Sequence, residues 1–395
     1  MNYGIVAEFD PFHNGHKYLV DTVKKENDTV TAVMSESFVQ RGECACMRTG
    51  ARVEAALKNG VDLVVSLPLT FAVSSAENFA YGGVSVLNAL GFIDKIAFGS
   101  ECGDSKLLSQ CADALLSDGF DAEVVKELET GVSYPKAREN ALKNKYGDKF
   151  TKVISSPNDT LGIEYIKALK RIDSQISFTA VMRNGAHHNS KSGEGSIRSA
   201  TEIRSILKDG NIENFVPKTA FEIYKSEIEK GKAPADYKSL EKAILSSLRT
   251  MSAEDFLKIP DVSEGLENRL YNSVRNSATL EDVLEKCKTK RYTHSRLRRI
   301  ILCSFLGITD EYRKIGVPYI RVLGFNEKGA TLLKLAKENA TLPVVVNQSE
   351  IKNLSREARE YFSLESKARD LFSLSLPESD VCGTLMTDKI ITVKG

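Results

Sequence analysis

The sequence lacks any long apolar run. No segment approaches the ~18 consecutive apolar residues that a membrane-spanning helix requires. The N-terminus has neither a basic stretch nor the apolar core of a secretion signal. We therefore expect a cytoplasmic protein that has no membrane partner.

The chain also lacks an excess of charge of one sign and an ordered set of cysteines. Its 54 basic and 53 acidic residues give a formal net charge of +1, so any surface for nucleic acid must be a local patch. The seven cysteines are scattered, and only Cys44 and Cys46 lie close together. An odd, scattered set argues against a secreted disulfide framework, and a lone Cys-x-Cys does not make a zinc site, so we predict no metal site.

What the chain does have is enough apolar sequence, 42% of 395 residues, for two or three domains. In the first half, β-prone runs alternate with helical patterns, which predicts a Rossmann-like parallel sheet with helices on both faces over residues 1–214. Ligands of such sheets bind at the carboxyl ends of the strands, where the polar motifs of this chain lie. The predicted strands are Tyr3–Ala7, Val30–Met34, Val61–Ser66, Lys95–Phe98 and Ile176–Met182.

The pattern changes near residue 215. Helical periodicity with short connections predicts a mostly helical domain over residues 215–310, with helices at Thr219–Lys230, Ser239–Met251, Ala253–Leu257, Glu264–Asn276 and Leu280–Cys287. A small α/β region is predicted over residues 311–395, from the strand Val317–Phe325, the helix Lys328–Asn339, the strand Pro343–Val346 and the helix Arg356–Ser373.

The most informative motif, His13-Asn14-Gly15-His16, follows the first predicted strand. The two histidines share one side of the first turn of a predicted helix, His16–Lys24. Backbone N–H groups and the helix dipole favour a phosphate there, and Gly15 lets a ligand approach the backbone. We predict a nucleotide-binding loop. The alternatives are a surface turn and a metal-binding pair, although no third ligand follows at a suitable spacing.

Residues 197–204 form a second candidate phosphate-binding element. Ser199 or Thr201 can cap the predicted helix Glu202–Leu207, which leaves N–H groups and hydroxyls directed at a phosphate. Arg204 adds a fixed positive charge one helical turn away. The alternative is a capping box with no further function.

Three weaker signals also follow strands or begin helices. Arg41 and Gly42 could meet a phosphate, and Gly99 permits close approach by a nucleobase or ribose. Asn158 or Asp159 is a natural N-cap. A solvated loop, an ordinary strand end and a simple cap explain these residues equally well.

Together the motifs resemble the HIGH-type nucleotidyltransferases, in which His-x-Gly-His after the first strand holds the phosphates of ATP. More narrowly, they resemble the bacterial tRNA(Met) cytidine acetate ligases. The matching segments are Glu8–His16, Phe38–Glu43, Leu57–Val64, Leu67-Pro68, Ser75–Gly82, Phe98–Glu101, Leu161–Tyr165, Ser199–Arg204 and Thr289–Thr293 with Arg296 and Arg299. The chain departs from that pattern at Cys44, where proline is usual, and at Arg48-Thr49-Gly50.

The resemblance implies an α/β, Rossmann-like nucleotidyltransferase domain followed by a helical, tRNA-binding domain. It implies that ATP, with Mg²⁺, and acetate give acetyl-adenylate and pyrophosphate, and that the acetyl group then passes to N4 of the wobble cytidine in elongator tRNA(Met). The implied catalytic residues are His13, His16, Thr201 and Arg204. The implied ATP contacts are Val6, Ala7, Glu8, Phe9, Pro11, Phe12, His13, Asn14, Gly15, His16, Leu19, Gly99, Asn158, Arg183, Asn184, Ser199 and Thr201.

The best candidate for a nucleic-acid surface is the basic stretch at residues 288–299. Helical spacing of its apolar residues lets one face bury while the basic residues face outward, and Tyr292 would be available for stacking. The predicted tRNA-binding residues are Lys290, Arg291, Tyr292, Arg296 and Arg299. A solvated basic face is the alternative.

Two other functional hypotheses remain open. One is a small-molecule adenylyl- or cytidylyltransferase, which would release pyrophosphate with a phosphorylated acceptor and need neither acetate nor tRNA. The other is a non-catalytic RNA-binding protein, which would bind tRNA without turning over ATP.

Overall fold

The computed structural model describes residues 1–183, 198–263 and 265–394. In the first segment, strands alternate with helices. The strands are β1 (Asn2–Ala7), β2 (Thr29–Met34), β3 (Phe38–Val39), β4 (Glu43–Cys44), β5 (Leu63–Ser66), β6 (Lys95–Ser100) and β7 (Ser177–Met182). The helices are α1 (Asn14–Val23), α2 (Thr49–Lys58), α3 (Leu69–Ala72), α4 (Ala76–Ala89), α5 (Ser105–Leu116), α6 (Phe120–Glu129), α7 (Tyr134–Tyr146), α8 (Thr151–Ser155) and α9 (Pro157–Arg171).

The rest of the described chain is mostly helical. Its first part contains α10 (Ala200–Leu207), α11 (Lys218–Glu229), α12 (Glu241–Thr250), α13 (Ala253–Leu257), α14 (Leu266–Arg275), α15 (Leu280–Cys287), α16 (His294–Leu306) and α17 (Asp310–Lys314). The C-terminal part contains β8 (Ile320–Phe325), α18 (Glu327–Asn339), β9 (Val344–Val345), α19 (Arg356–Ser373), α20 (Thr384–Thr387) and β10 (Ile391–Thr392). Short 3-10 helices occupy Gly147–Phe150, Tyr237–Leu240 and Gln348–Asn353. No helix in the described residues is both long and apolar enough to cross a membrane.

One sheet organises the fold, with strand order β10-β8-β5-β2-β1-β6-β7 and with β9 paired to β8. The five strands β5, β2, β1, β6 and β7 run parallel to one another. Strand β1 pairs with β2 in register from Asn2 opposite Thr29 to Ala7 opposite Met34. The predicted α/β fold with a parallel sheet is confirmed. Its loops at the carboxyl ends of β1, β2 and β6 therefore share one edge.

Alternating side chains of the central strands enter two separate cores, as the period of two along a strand requires. Val6 and Val33 pack with residues of α4 and α9. Ile5 and Ala32 face the other way and pack with residues of α2, α10 and α11. Because both faces of the sheet are covered, its strands appear in the sequence as continuous apolar runs.

The packing crosses both of the domain boundaries predicted from the sequence. Helix α11, beyond residue 214, buries Ala220 and Tyr224 in the same core as Phe12. Strand β8, beyond residue 310, lies antiparallel to β5 and completes the main sheet. The helices from α12 to α16 form a core of their own, which the β3–β4 hairpin and α19 also join.

Candidate nucleotide-binding site

The loop between β1 and α1 is held by two buried aromatic residues. Phe9 and Phe12 are 1% and 0% exposed, and their ring centroids lie 5.0 Å apart. Phe9 has a φ of +47°, an unusual conformation for a bulky side chain, and such residues cluster at functional sites. The Tyr224 hydroxyl of α11 donates to the Phe12 carbonyl at 3.1 Å, which fixes the loop from the opposite side.

The two histidines at the junction of this loop and α1 are oriented by the backbone around them. His13 is the N-cap of α1, and its Nδ1 accepts from the Gly15 N–H at 3.0 Å. The Nδ1 of His16 accepts from the His13 N–H at 3.3 Å, and the rings stack with centroids 3.8 Å apart. Because Nδ1 is the acceptor in both rings, the neutral tautomer carries its proton on Nε2. Each ring can therefore donate one N–H bond to a ligand.

The surroundings keep both rings neutral. Burial, followed by the charges of Arg183 and Arg204, lowers the pKa of His13 to about 3. Burial, His13 and Arg183 lower the pKa of His16 well below its usual value. At neutral pH the histidines are hydrogen-bond donors without charge, so the positive charge of the site comes from its arginines.

Helix α10 brings the second predicted element to this loop. Ser199, one of the two caps that the sequence offered, is its N-cap and forms a capping box with Glu202. The helix begins at Ala200, two residues before the predicted start. The Arg204 guanidinium donates to the Asp10 carbonyl at 2.7 Å and to the Thr201 hydroxyl at 3.2 Å. Its Nη1 also lies 3.3 Å from the Asp10 carboxylate. Residues about 190 positions apart in sequence thus face each other across one site.

Arg183 and Gly99 lie together at the ends of neighbouring strands. A Cβ placed on Gly99 would stand 3.5 Å from Cγ of Arg183, so the arginine stem passes over the glycine. The Arg183 N–H donates to the Ser100 carbonyl at 3.0 Å, and its charge acts on both histidines. Asn184 lies outside the described residues.

Asn158 and Asp159 tie the start of α9 to the end of β6. The Asn158 side chain donates to Glu101 at 2.5 Å, while Asp159 accepts from the Glu101 N–H at 2.9 Å and from the Ser100 hydroxyl. The sequence predicted one of these two residues as the N-cap of the helix, and this prediction is wrong. Helix α9 begins at Pro157, and its N-cap is Ser156. The reciprocal bonds hold this edge of the site in place.

The remaining predicted ATP contacts belong to the same strand, loop and helix. Asn14 donates through its backbone to the Phe215 carbonyl at 2.9 Å, and Leu19 packs against the core below α1. The Glu8 carboxylate accepts from the Gln40 N–H at 2.7 Å, and burial is the main cause of its raised pKa. The other members of this group are Val6, Ala7 and Pro11 on β1 and the loop that follows it.

Sequence reasoning missed Arg52, which lies fully buried beneath the site. Its guanidinium donates to the carbonyls of Glu8 at 2.7 Å, Ser35 at 3.0 Å and Met47 at 3.3 Å, and also to that of Glu36. Burial lowers its pKa. The available signal was an arginine among small and apolar residues, Ala51-Arg52-Val53. This one cation joins the loops that follow β1 and β2.

The basic stretch divides into exposed residues and residues that are half-buried or buried. Lys290 and Arg291 are exposed. Tyr292 is only 7% exposed and its ring centroid lies 5.1 Å from the Arg296 guanidinium, so the expectation that this ring is available for stacking is wrong. Arg296 donates to the Asp261 carbonyl at 2.7 Å. Burial, chiefly, lowers the pKa of Arg299, which also faces Asp261.

The departure at Arg48 has a structural explanation. The Arg48 guanidinium makes two bonds of 2.8 Å to the carboxylate of Glu227 on α11. The neighbouring Thr49 hydroxyl accepts from Arg369 of α19 at 2.5 Å. These residues connect α2 to later parts of the chain.

Comparison with known proteins agrees with this geometry. Residues 1–383 match the family model described as HIGH Nucleotidyl Transferase. Curated proteins named tRNA(Met) cytidine acetate ligase include one from Thermosipho melanesiensis, 39% identical over 88% of this chain and 84% of that protein. Another, from Caldanaerobacter subterraneus, is 42% identical over 90% of this chain and 91% of that protein.

A solved structure agrees as well. The structure of Thermotoga maritima TmcAL bound with alpha-thio ATP superposes with a TM-score of 0.92 over 100% of both chains, at 33% sequence identity. The sequence relatives and the superposition each cover most or all of the chain. The chain therefore belongs to the tRNA(Met) cytidine acetate ligase family of HIGH nucleotidyl transferases.

Proposed function

We propose that this protein is a cytoplasmic, ATP-dependent tRNA(Met) cytidine acetate ligase. It activates acetate as acetyl-adenylate and transfers the acetyl group to N4 of the wobble cytidine of elongator tRNA(Met). The observation that carries the proposal is the convergence of His13, His16, Thr201, Arg204 and Arg183 on one sheet edge. The family membership supplies the substrate class.

In the first step, an acetate oxygen attacks the α-phosphorus of ATP, and the bond to the β-phosphate breaks. This step needs stabilisation of charge on phosphate oxygens and no covalent enzyme intermediate. The Nε2–H groups of His13 and His16 donate to those oxygens without adding a charge of their own. Arg183 and Arg204 offset the charge that collects on the departing pyrophosphate.

Mg²⁺ enters as part of the nucleotide substrate in this proposal. Among the described residues, no group of three or more His, Cys, Asp and Glu side chains is placed to hold a metal ion. Mg²⁺ commonly binds through substrate phosphates and a few protein groups, with water completing its shell. This chain's residues then have to bind the triphosphate and position the acetate.

In the second step, the cytidine N4 attacks the acetyl carbonyl carbon, the bond to AMP breaks, and N4 loses one proton. The RNA must reach the same sheet edge from outside. Lys290 and Arg291 are exposed just before α16. We propose that they contact the phosphate backbone of the RNA. Arg296, Arg299 and Tyr292 would shape this surface from within.

The decisive experiment is incubation with ATP, Mg²⁺, radiolabelled acetate and bulk bacterial tRNA, followed by nucleoside analysis. ATP-dependent label in N4-acetylcytidine supports the proposal, and a reaction without ATP is the control. Pyrophosphate release that needs a phosphorylated small molecule, with no label in tRNA, would favour a small-molecule nucleotidyltransferase. Binding of tRNA without any ATP turnover would favour an RNA-binding protein.

A further inference from the structure

The β3–β4 hairpin, residues 38–44, touches three separate elements around the nucleotide site. Its Gln40 N–H donates to Glu8 after β1, and its Arg41 guanidinium donates to the Thr201 hydroxyl of α10 at 2.9 Å. Its far side rests on α16. From the sequence, Arg41 and Gly42 were candidates for a phosphate contact, with a solvated loop as the equal alternative, and the hairpin itself was not predicted.

Arg41 lies beside a second guanidinium. The same Thr201 oxygen accepts from Arg41 at 2.9 Å and from Arg204 at 3.2 Å, so two positive charges meet at one hydroxyl. Arg204 has the carboxylate of Asp10 as a partner. Among the described residues, Arg41 forms no ion pair with a carboxylate, and it is exposed. Asp10 offsets the charge of Arg204, and the charge of Arg41 adds repulsion unless a further anion lies near it.

The hairpin is held against α16 by a close backbone contact. Gly42 has a φ of +77°, and a Cβ placed on it would lie 2.7 Å from the carbonyl carbon of Arg298 and from the nitrogen of Arg299. Only glycine fits this position without displacing the helix. Next to it, Arg298 donates to the Glu43 carboxylate at 2.8 Å. The position of Arg41 is therefore set by α16 as well as by the sheet.

We propose that Arg41 binds the β- and γ-phosphates of the nucleotide together with Thr201 and Arg204, and that the contact of Gly42 and Glu43 with α16 positions it. The proposal deepens the function above and rests on it for the choice of nucleotide. Arg41 would contact the part of ATP that leaves as pyrophosphate. It would make no contact with AMP, which lacks those two phosphates.

This difference gives a direct test, which is calorimetric titration of the full chain with ATP and with AMP, each with Mg²⁺. Arg41→Ala should lower the affinity for ATP about 10- to 100-fold, the range expected for the loss of one hydrogen bond to a charged group. Its affinity for AMP should stay at the wild-type value, and Arg41→Lys should recover part of the loss. Arg356→Ala, an 85% exposed arginine on α19, is the matched control.

Two results would overturn the role of Arg41. One is ATP affinity equal to wild type in Arg41→Ala, and the other is an equal loss for ATP and AMP. If wild type binds no ATP, both this proposal and the proposed function fail. If Arg41→Ala shows the selective loss while wild type transfers no acetate to tRNA, only the proposed function fails.

The positioning by α16 has its own pair of variants. Gly42→Ala should reduce the preference for ATP over AMP in the same direction as Arg41→Ala, because the new methyl group pushes the hairpin away from α16. Gly50→Ala is the matched control, since a Cβ there would meet only Ile391 at 3.6 Å. Glu43→Gln should give a smaller loss of the same kind. A folded Gly42→Ala protein with the wild-type preference would overturn the positioning role.

Discussion

The His13–His16 loop and the basic stretch before and within α16 both contain polar residues in short runs, yet the structure uses them differently. In the loop, each histidine is oriented by a backbone N–H at most three residues away. In the basic stretch, Arg296 bonds to Asp261, 35 positions away. A motif whose geometry is local can be interpreted from sequence. A cluster of charge cannot, because distant partners decide which charges remain at the surface.

The largest expected effect is at the loop. His16→Ala should lower acetate-dependent ATP–pyrophosphate exchange about 10²- to 10³-fold, because it removes an aligned donor to a phosphate oxygen. The fold should be retained, since His16 lies at the first turn of α1. His294→Ala, on α16, should leave exchange unchanged. Wild-type exchange in the His16 variant would remove the functional distinction between the two regions.

The next effect concerns Arg52, a buried residue outside the loop that bonds to the Glu8 carbonyl just before it. Arg52→Met should lower the free energy of unfolding by about 2–3 kcal/mol, because several buried carbonyls lose a charged donor. Urea unfolding followed by circular dichroism measures this change. Arg356→Met, at an 85% exposed position, should stay within about 0.5 kcal/mol of wild type. Equal effects of the two substitutions would contradict the structural role of Arg52.

Neutral histidines also predict a pH effect that the basic stretch should not show. The pKa of His13 is lowered from its usual 6.5 to about 3, so between these values the unfolded chain holds a proton that the folded chain does not. His13 therefore does not lower the free energy of unfolding above pH 6.5. As the pH falls from 6.5 toward 3, protonation of His13 in the unfolded chain lowers the free energy of unfolding. At pH 5 the loss is about 2 kcal/mol.

Urea unfolding at pH 7 and pH 5 tests this effect. Wild type should lose about 2 kcal/mol more than His13→Gln on going from the higher to the lower pH. The variant serves as the control for carboxylates that titrate over the same range. Identical pH dependence in the two proteins would mean that His13 is not held neutral by the fold.

The contrast between local and distant determinants also explains what the sequence could predict. Strand β1 and helix α1 were predicted within two residues, and Ser199 was one of the two predicted caps of α10, because strand periodicity and caps depend on neighbours. The placement of β8 beside β5 depends on contacts about 260 positions apart, and no local pattern encodes it. The burial of Tyr292 was missed for the same reason.

The smallest expected effect is at the exposed part of the basic stretch. The double substitution Lys290→Gln and Arg291→Gln should weaken tRNA binding about 10-fold. It should also reduce the slope of log affinity against log salt concentration by about 2, which is one unit for each lost phosphate contact. Acetate-dependent exchange should not change, because the proposed first step needs only ATP and acetate. Arg296→Gln should instead lower stability, since it breaks the bond to Asp261, and should leave the salt slope as it is. A filter-binding titration at several salt concentrations separates these outcomes. If Arg296→Gln changed the slope as much as the exposed pair, then Arg296 would contact RNA directly, and the separate roles given to the exposed and the half-buried basic residues would be wrong.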